Sequence, residues 1–347
     1  MKKYLIPFIC ILLGGCITDN TPTTGEQAKE YLEIWMAKWN KDNGKNIQPD
    51  EYGMYVLDDV PGDPSADLWS ADIPYTYASV TINTLSGKIS SSDDATIAKQ
   101  LGTYQAHYYY GPKVSVTGEG ASYAGVDLAL KDMRMGGRRT VLIPSWMLTT
   151  SRYSSMQEYL DACTSSSHLI YTIDLKQQFE DVNEWEKAIV KDYIDAHFPG
   201  AESTVMPDEE EADGSFYFIS DTSAFDEEDK RESNASGLRL NYTGYRLDGQ
   251  IFDTTIEDVA IDAGIYNSSS SYTPASMSFS DSWDSIKMNS SSEYITGFQA
   301  ALSMLWWVGQ KATVVFTSAR GYSYSGNSGA IPGYCPIAFD LELLGEE

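Results

Sequence analysis

Histidine and cysteine are scarce in this chain, with three and four copies in 347 residues. His107, His168 and His197 stand far apart and never fall into H-E-x-x-H or a similar ligand spacing, so no metal site is expected. Cys163 and Cys335 lie too far apart to suggest a disulfide framework and read as buried thiols, with a bridge between them the lesser alternative. No G-x-S-x-G elbow supports a serine hydrolase. The stretch "GEGASYAG" misses the G-x-G-x-x-G phosphate-loop spacing, because Tyr123 occupies the third glycine's place. Basic residues are also in short supply: 24 Lys and Arg face 50 Asp and Glu, for a formal charge of −26. Such a surface repels nucleic acid and anionic headgroups. The acidic runs "DEEEAD" and "DEEDKRE" lack calcium-loop spacing and read as solvated surface.

The one sustained apolar run is N-terminal. "MKKYLIPFICILLGGC" has two lysines, an apolar stretch from Tyr4 to Leu13 and small residues before Cys16. That is the pattern of an export signal, too short to stay as a membrane span. Its ending, Leu13-Gly14-Gly15-Cys16, resembles the bacterial lipobox, which implies removal of residues 1–15 and acylation of Cys16. Residues 16–27 would then be a polar, lipid-anchored tether. Ile17, where an aspartate would signal inner-membrane retention, points to the outer membrane.

The full sequence is 42% hydrophobic and 21% charged, the balance of a globular protein, and long enough for two domains. It repeats itself. Ala28, Leu32, Trp35, Met36 and Trp39 recur at helical spacing, followed by the strand-like "YGMYVLDDV". From about residue 180 the same order returns, with Trp185, Ile189 and Tyr193 as a helical stripe that stops at Pro199-Gly200, then the strand "SFYFIS". "GVDLALKDMRMGGRRTVLI" from Gly125 and "GFQAALSMLWWVGQKATVV" from Gly297 align without a gap at an offset of 172, each a short helix leading through a glycine (Gly137, Gly309) into a strand. The copies close on "LIYTIDL" and "IAFDLEL". The expectation is an α+β fold present twice, in residues 28–178 and 179–347, each with an antiparallel sheet and an N-terminal helix.

"YTGYRLDGQIFDTT", Tyr242 to Thr255, has the pattern of a hairpin that ends in an aromatic side chain beside a carboxylate. Alone, that pair reads as a core ring and a turn cap. It is followed in order by "YITGFQAALSML", "VGQKATVVF", "ARGYSYSGNSGAIP" and "FDLELL". Together, from about Leu238 to Leu344, these motifs resemble the FKBP-type peptidyl-prolyl cis–trans isomerases. The resemblance implies a curved antiparallel sheet wrapped around one short helix. It places the catalytic positions on Tyr242, Phe252, Asp253, Tyr322 and Phe339, and the substrate-binding positions on Glu293, Tyr294, Ile295, Phe298 and Ile331. Phe298 departs from the family's tryptophan at the pocket floor. The serine-rich stretch between Thr255 and Glu293 is longer than in compact members, and Phe279 and Met288 both remain candidates for a further pocket position.

The implied activity needs neither cofactor nor metal, since rotation about an X–Pro bond breaks no bond; its partner is a proline-containing polypeptide segment. In the first copy the Phe-Asp positions fall on Ser90 and Ser91 and the floor on Val126, and "PSWMLTTSRYSS" has no tyrosine loop. That copy reads as a structural or protein-binding module. Its tyrosine cluster "YQAHYYYGP" reads as a packed strand or loop, with a groove lining the other use. Two rival readings remain, a non-catalytic chaperone built from both copies and a glycan-binding surface protein stacking sugars on its 24 tyrosines.

Overall fold

The computed structural model describes residues 22–346; the expected signal segment, Cys16 and most of the tether lie outside the described residues. The first half runs α1 (Thr24–Asn43), β1 (Tyr55–Val60), β2 (Tyr75–Thr84), β3 (Ile89–Ser92), α2 (Ala95–Leu101), β4 (Lys113–Val116), α3 (Ala124–Leu130), β5 (Arg138–Ile143), α4 (Met156–Ala162) and β6 (Leu169–Phe179). The second runs α5 (Val182–His197), β7 (Phe216–Ile219), β8 (Ser236–Arg246), β9 (Ile251–Thr254), α6 (Glu257–Asp262), β10 (Ala275–Ser278), β11 (Lys287–Met288), α7 (Thr296–Ser303), β12 (Lys311–Phe316) and β13 (Ile337–Leu344). Helices and antiparallel sheets are segregated, so the class is α+β, as expected.

The duplication is visible in the strand order. One sheet reads β1-β5-β6-β2-β3 with β4 also on β2; the other reads β7-β12-β13-β8 with β9 and β10 on β8. The short helices α3 and α7 bury one face in the concave side of their sheets, through Ala129 and Leu130 or Ala301 and Leu302. Sequence reading passed over the helix and return strand after each hairpin (α2 and β4, α6 and β10), whose segments are short and rich in serine and tyrosine.

Pairing corrects the gapless alignment of the two copies. Gly136 N donates to Leu175 O and Gly309 N to Leu343 O, both glycines at positive φ (81° and 87°). Leu175 N then donates to Gly137 O as Leu343 N does to Gln310 O. Gly136, not Gly137, is therefore the counterpart of Gly309, and one extra residue lies between α7 and β12. A left-handed turn demands glycine, and the doubled "GG" hid which one meets that demand.

The N-terminal helix of each half is packed in place, α1 against α4 and the turn after β5, and α5 on the outer face of the second sheet. Thr23 and Glu26 form a capping box at the start of α1, and Gly44 closes it in the left-handed conformation. Asp181 caps α5. The buried stripe of α5 is Val182, Glu186, Val190 and Ile194, one residue on from the expected Trp185, Ile189 and Tyr193. A carboxylate in the middle of the apolar face disguised it. Val190 and Ile194 pack on Tyr217, Val315 and Ala338 of the outer sheet face. Trp185 turns instead to the first half, stacking on Phe179 at 4.4 Å and tilting against Tyr77 at 5.3 Å.

Other contacts join the halves. The tyrosine cluster between α2 and β4 is a loop, and it reaches the second half: Tyr109 N donates to Gly329 O at 2.9 Å. Arg246 lies near the Tyr109 ring, 5.1 Å from its centroid, and donates to Ala330 O at 2.6 Å. Cys163 and Cys335 are free thiols, and burial pushes the Cys335 thiol up to about 12. No helix among the described residues is long and apolar enough to cross a membrane.

Candidate functional site: an aromatic cup in the second half

The site grows from the hairpin β8–β9. Alternation along β8 puts Tyr242 and Gly244 on the concave face, where Gly244 pairs with Phe339 of β13 on one side and Asp253 of β9 on the other. A side chain at 244 would collide with both neighbouring rings: a Cβ there would sit 2.6 Å from Phe339 and 2.7 Å from Phe252. Without that Cβ the two rings meet edge to face, with centroids 5.7 Å apart. Phe298, on the first turn of α7, lies 4.7 Å from Phe339, 5.6 Å from Tyr242 and 5.9 Å from Tyr294.

The cluster has a floor and a rim. Phe298, Phe339 and Ile331 are 3%, 5% and 2% exposed, whereas Tyr242, Phe252, Tyr294, Ile295 and Tyr322 are half-buried around them. Eight of the ten positions implied by the family resemblance thus join one apolar cluster. Asp253 sits on its edge, and the Tyr242 hydroxyl donates to Asp253 Oδ2 at 2.9 Å. Glu293 is not brought in; it is exposed, and its amide donates to Ser291 Oγ. Met288 holds the Tyr294 hydroxyl with its carbonyl oxygen. Phe279 lies beneath the Arg231 guanidinium, 3.4 Å from the ring centroid.

Surrounding protein raises the Asp253 carboxyl above its usual range, and the Tyr242 hydrogen bond offsets this only in part. Asp253 nevertheless keeps solvent access, which tempers the rise. Burial first, and the Asp253 charge second, raise Tyr242; burial raises Tyr322 as well. Both phenols therefore stay protonated donors at neutral pH. The rim offers the Tyr322 hydroxyl and the hydrogen-bonded Tyr242–Asp253 pair above a floor of apolar rings.

The first half lacks these groups position by position. Strand pairing puts Val80 at the place of Tyr242, each opposite its partner in the closing strand (Ile173, Leu341). The backbone N–H is held likewise, by Asp93 in one and Thr255 in the other. Ile82 then stands where Gly244 does, and Ser90 and Ser91 where Phe252 and Asp253 do. Tyr171 keeps a ring at the place of Phe339, but serine replaces the hairpin ring, which leaves room for isoleucine at 82.

Sequence reading missed Gly244 and Gln299. Gly244 is a small residue in "YTGY", between two cup residues, and carries no functional group to draw notice. Gln299 has the pattern of a polar break on a buried helix face; its amide donates to Asp284 O and Ile286 O at 2.7 and 3.2 Å, pinning the serine-rich insertion to α7. Among the described residues no group of three or more His, Cys, Asp or Glu could hold a metal ion.

The fold and cup define the class of protein with which the chain is to be compared. No family model matches the chain, and no curated protein does. Solved structures do, and those that the chain is similar to include FKBP-type peptidyl-prolyl isomerases. A peptidyl-prolyl cis–trans isomerase from Pseudomonas syringae pv. tomato is 21% identical, with 47% of this chain and 91% of that one covered and a TM-score of 0.30. The three FKBP domains of wheat FKBP73 give 13%, 84%, 94% and 0.27 for the same measures. FkpA from Escherichia coli gives 12%, 45%, 63% and 0.28.

Proposed function

We propose that this protein is a peptidyl-prolyl cis–trans isomerase whose catalytic site is the cup of the second half. The observation that carries the reading is the convergence of Tyr242, Phe252, Phe298, Tyr322, Ile331 and Phe339 on one apolar cluster, with the Tyr242–Asp253 hydrogen bond at its edge. The barrier to X–Pro rotation, about 18–20 kcal/mol, comes from amide resonance lost at the twisted midpoint. A twisted amide is less polar than a planar one, so an apolar cup favours it over the ground state. Phe252, Phe298 and Phe339 grip the proline ring. The Tyr322 hydroxyl donates to a carbonyl oxygen beside it, while the Tyr242 hydroxyl is held by Asp253 and turns its oxygen lone pairs and ring edge to the client. Phenylalanine at 298 gives a smaller floor than tryptophan and weaker binding, since buried apolar area is worth about 25 cal/mol per Å².

With the N-terminal segment read as a lipoprotein signal, the client would be an exported, unstructured chain, and the protein would be held at the cell envelope by acylated Cys16. The first half, with no aromatic cup, is a binding or scaffold module. The test is acceleration of cis–trans exchange in a proline tetrapeptide by the mature chain, compared with the double variant Phe252→Ala/Tyr322→Ala. Loss of rate in the variant supports the reading. A wild-type protein without acceleration, or a variant as fast as wild type, defeats it. Suppression of aggregation that survives those changes would instead support the non-catalytic chaperone.

A further inference from the structure

The cup does not end at its rim. Tyr242, Phe252 and Asp253 also line one end of a trough of about 550 Å³. One wall is the serine-rich insertion, with Asn267, Ser271 and Thr273; the other includes His107, from the tyrosine loop of the first half. The volume lies in the range of ligand sites. Apart from Asp253 and His107 the polar lining is hydroxyl and amide, groups that both donate and accept hydrogen bonds. An extended polypeptide presents alternating N–H and C=O groups that need both.

Both walls are held in place. In the insertion, Tyr266 stacks on Tyr272 at 5.4 Å, and the Tyr272 hydroxyl accepts from Asn267 N at 2.8 Å. On the opposite side, Tyr109 N is tied to Gly329 O, and the Arg246 guanidinium reaches His107 O at 3.5 Å. Gly264, at the foot of the insertion, packs so near Ala106 that an added Cβ would lie 3.3 Å from it. The first half therefore closes a cavity that opens from the proposed catalytic surface of the second.

We propose that this trough is a polar subsite shared by the two halves, which takes the extended main chain of the client next to its target proline. The proposal rests on the isomerase reading for its client, and it gives the cupless first half a part in substrate selection.

The test uses the full mature chain and two variants from opposite walls, Ser271→Trp and His107→Glu. Ser271 is exposed, so the tryptophan fills the trough without entering a core. Two quantities are read: binding of a fluorescein-labelled dodecapeptide of serine, asparagine and glycine around one proline, and kcat/KM on that peptide relative to a proline tetrapeptide. Ser271→Trp is expected to weaken dodecapeptide binding about tenfold and to lower the kcat/KM ratio by a similar factor, mainly through KM. His107→Glu, acting from the first half, is expected to shift both in the same direction. Dodecapeptide binding unchanged in both variants overturns the subsite, whether or not the tetrapeptide is isomerised. A wild-type protein that binds the dodecapeptide through the trough but isomerises neither peptide overturns the isomerase reading and leaves the subsite standing.

Discussion

Gly244→Ala is the sharpest probe of the cup. The residue lies in a regular antiparallel pair, opposite Phe339 and Asp253, and its φ is outside the left-handed region, so alanine meets no backbone penalty. All of the cost is steric. The new methyl would stand 2.6 Å from Phe339 Cε1, 2.7 Å from Phe252 Cε2 and 2.9 Å from Phe252 Cζ. Carbon atoms rest at about 3.5–4.0 Å, so a ring must retreat by roughly 1 Å. Phe339 is packed against Phe298 and Phe316. Phe252 has one side open, so it is the ring that moves, and it is a wall of the cup. Overpacking of this kind costs about 1–3 kcal/mol of stability. A 1 Å displacement of a positioning group can cost up to about a hundredfold in rate. Tetrapeptide isomerisation should therefore fall ten- to a hundredfold while the protein stays folded, as read by near-ultraviolet circular dichroism and urea titration. Ile82→Ala, at the matching place in the first half, should lose stability and leave the rate alone. A Gly244→Ala protein with kcat/KM within about twofold of wild type would show that the ring positions are irrelevant to turnover and refute the reasoning.

Asp253→Asn keeps the shape of the rim but removes the charge that orients Tyr242. The wild type should lose rate as pH falls through a carboxyl raised above the ordinary range, and the variant, slower at neutral pH, should show no such acid limb in a pH–rate profile. Gln299→Ala strips the partners from two carbonyl oxygens, and should cost about 2–4 kcal/mol in urea titration and loosen the insertion in hydrogen exchange. His168 is held neutral, its pKa lowered by burial to about 4. A base depressed in the fold stabilises above its unfolded pKa near 6.5, so the first half should lose about 3 kcal/mol as pH falls from there towards 4. Glu186 has the opposite sign, raised by burial, so the second half should gain stability as pH falls through that raised value. Hydrogen exchange resolved by segment at successive pH values checks both, and a common acid response in the two halves would contradict them.

Legibility in the sequence followed the physics of each element. Short helices beginning in "GVDLAL" and "GFQAAL" showed because their apolar positions recur at i, i+3, i+4 and i+7. Strands rich in β-branched residues showed for the same kind of reason. The face of α5 did not, because Glu186 interrupts its apolar stripe and only tertiary context, the Ser318 N–H and hydroxyl, explains a carboxylate there. Ring positions of the cup were legible through a resemblance spread over several ordered motifs. Glu293 was carried along by that resemblance, and the structure leaves it in solvent. Gly244 carries no chemistry of its own, and its role is to be absent where two rings need space. Nothing in the order of residues indicated that "YQAHYYYGP" would cross to the other half, since contacts between halves have no local period.

The two copies also show how one structural demand can be met by different chemistry. The backbone N–H at the start of the turn after β5 and after β12 is buried in both. In the second half Ser318 N donates to Glu186, on the outer helix α5. In the first half the matching helix residue is alanine, and Ser145 N donates instead to His168 Nδ1, while His168 Nε2 faces Ala28 O at 3.1 Å. A buried N–H without a partner costs about 1–3 kcal/mol, so alanine at this helix position requires an acceptor from elsewhere. Histidine supplies one nitrogen to each side and restores the link between turn and helix. The same reasoning covers the cup. Ile82, opposite Tyr171, fills space that Gly244 leaves open, so the first half remains packed without the hairpin phenylalanine. Fold-holding positions are filled in both halves, whereas Ser90 and Ser91 carry nothing that grips a ring. The first half thus has a packed sheet without a cup, and it presents His107 and its tyrosine loop to the second.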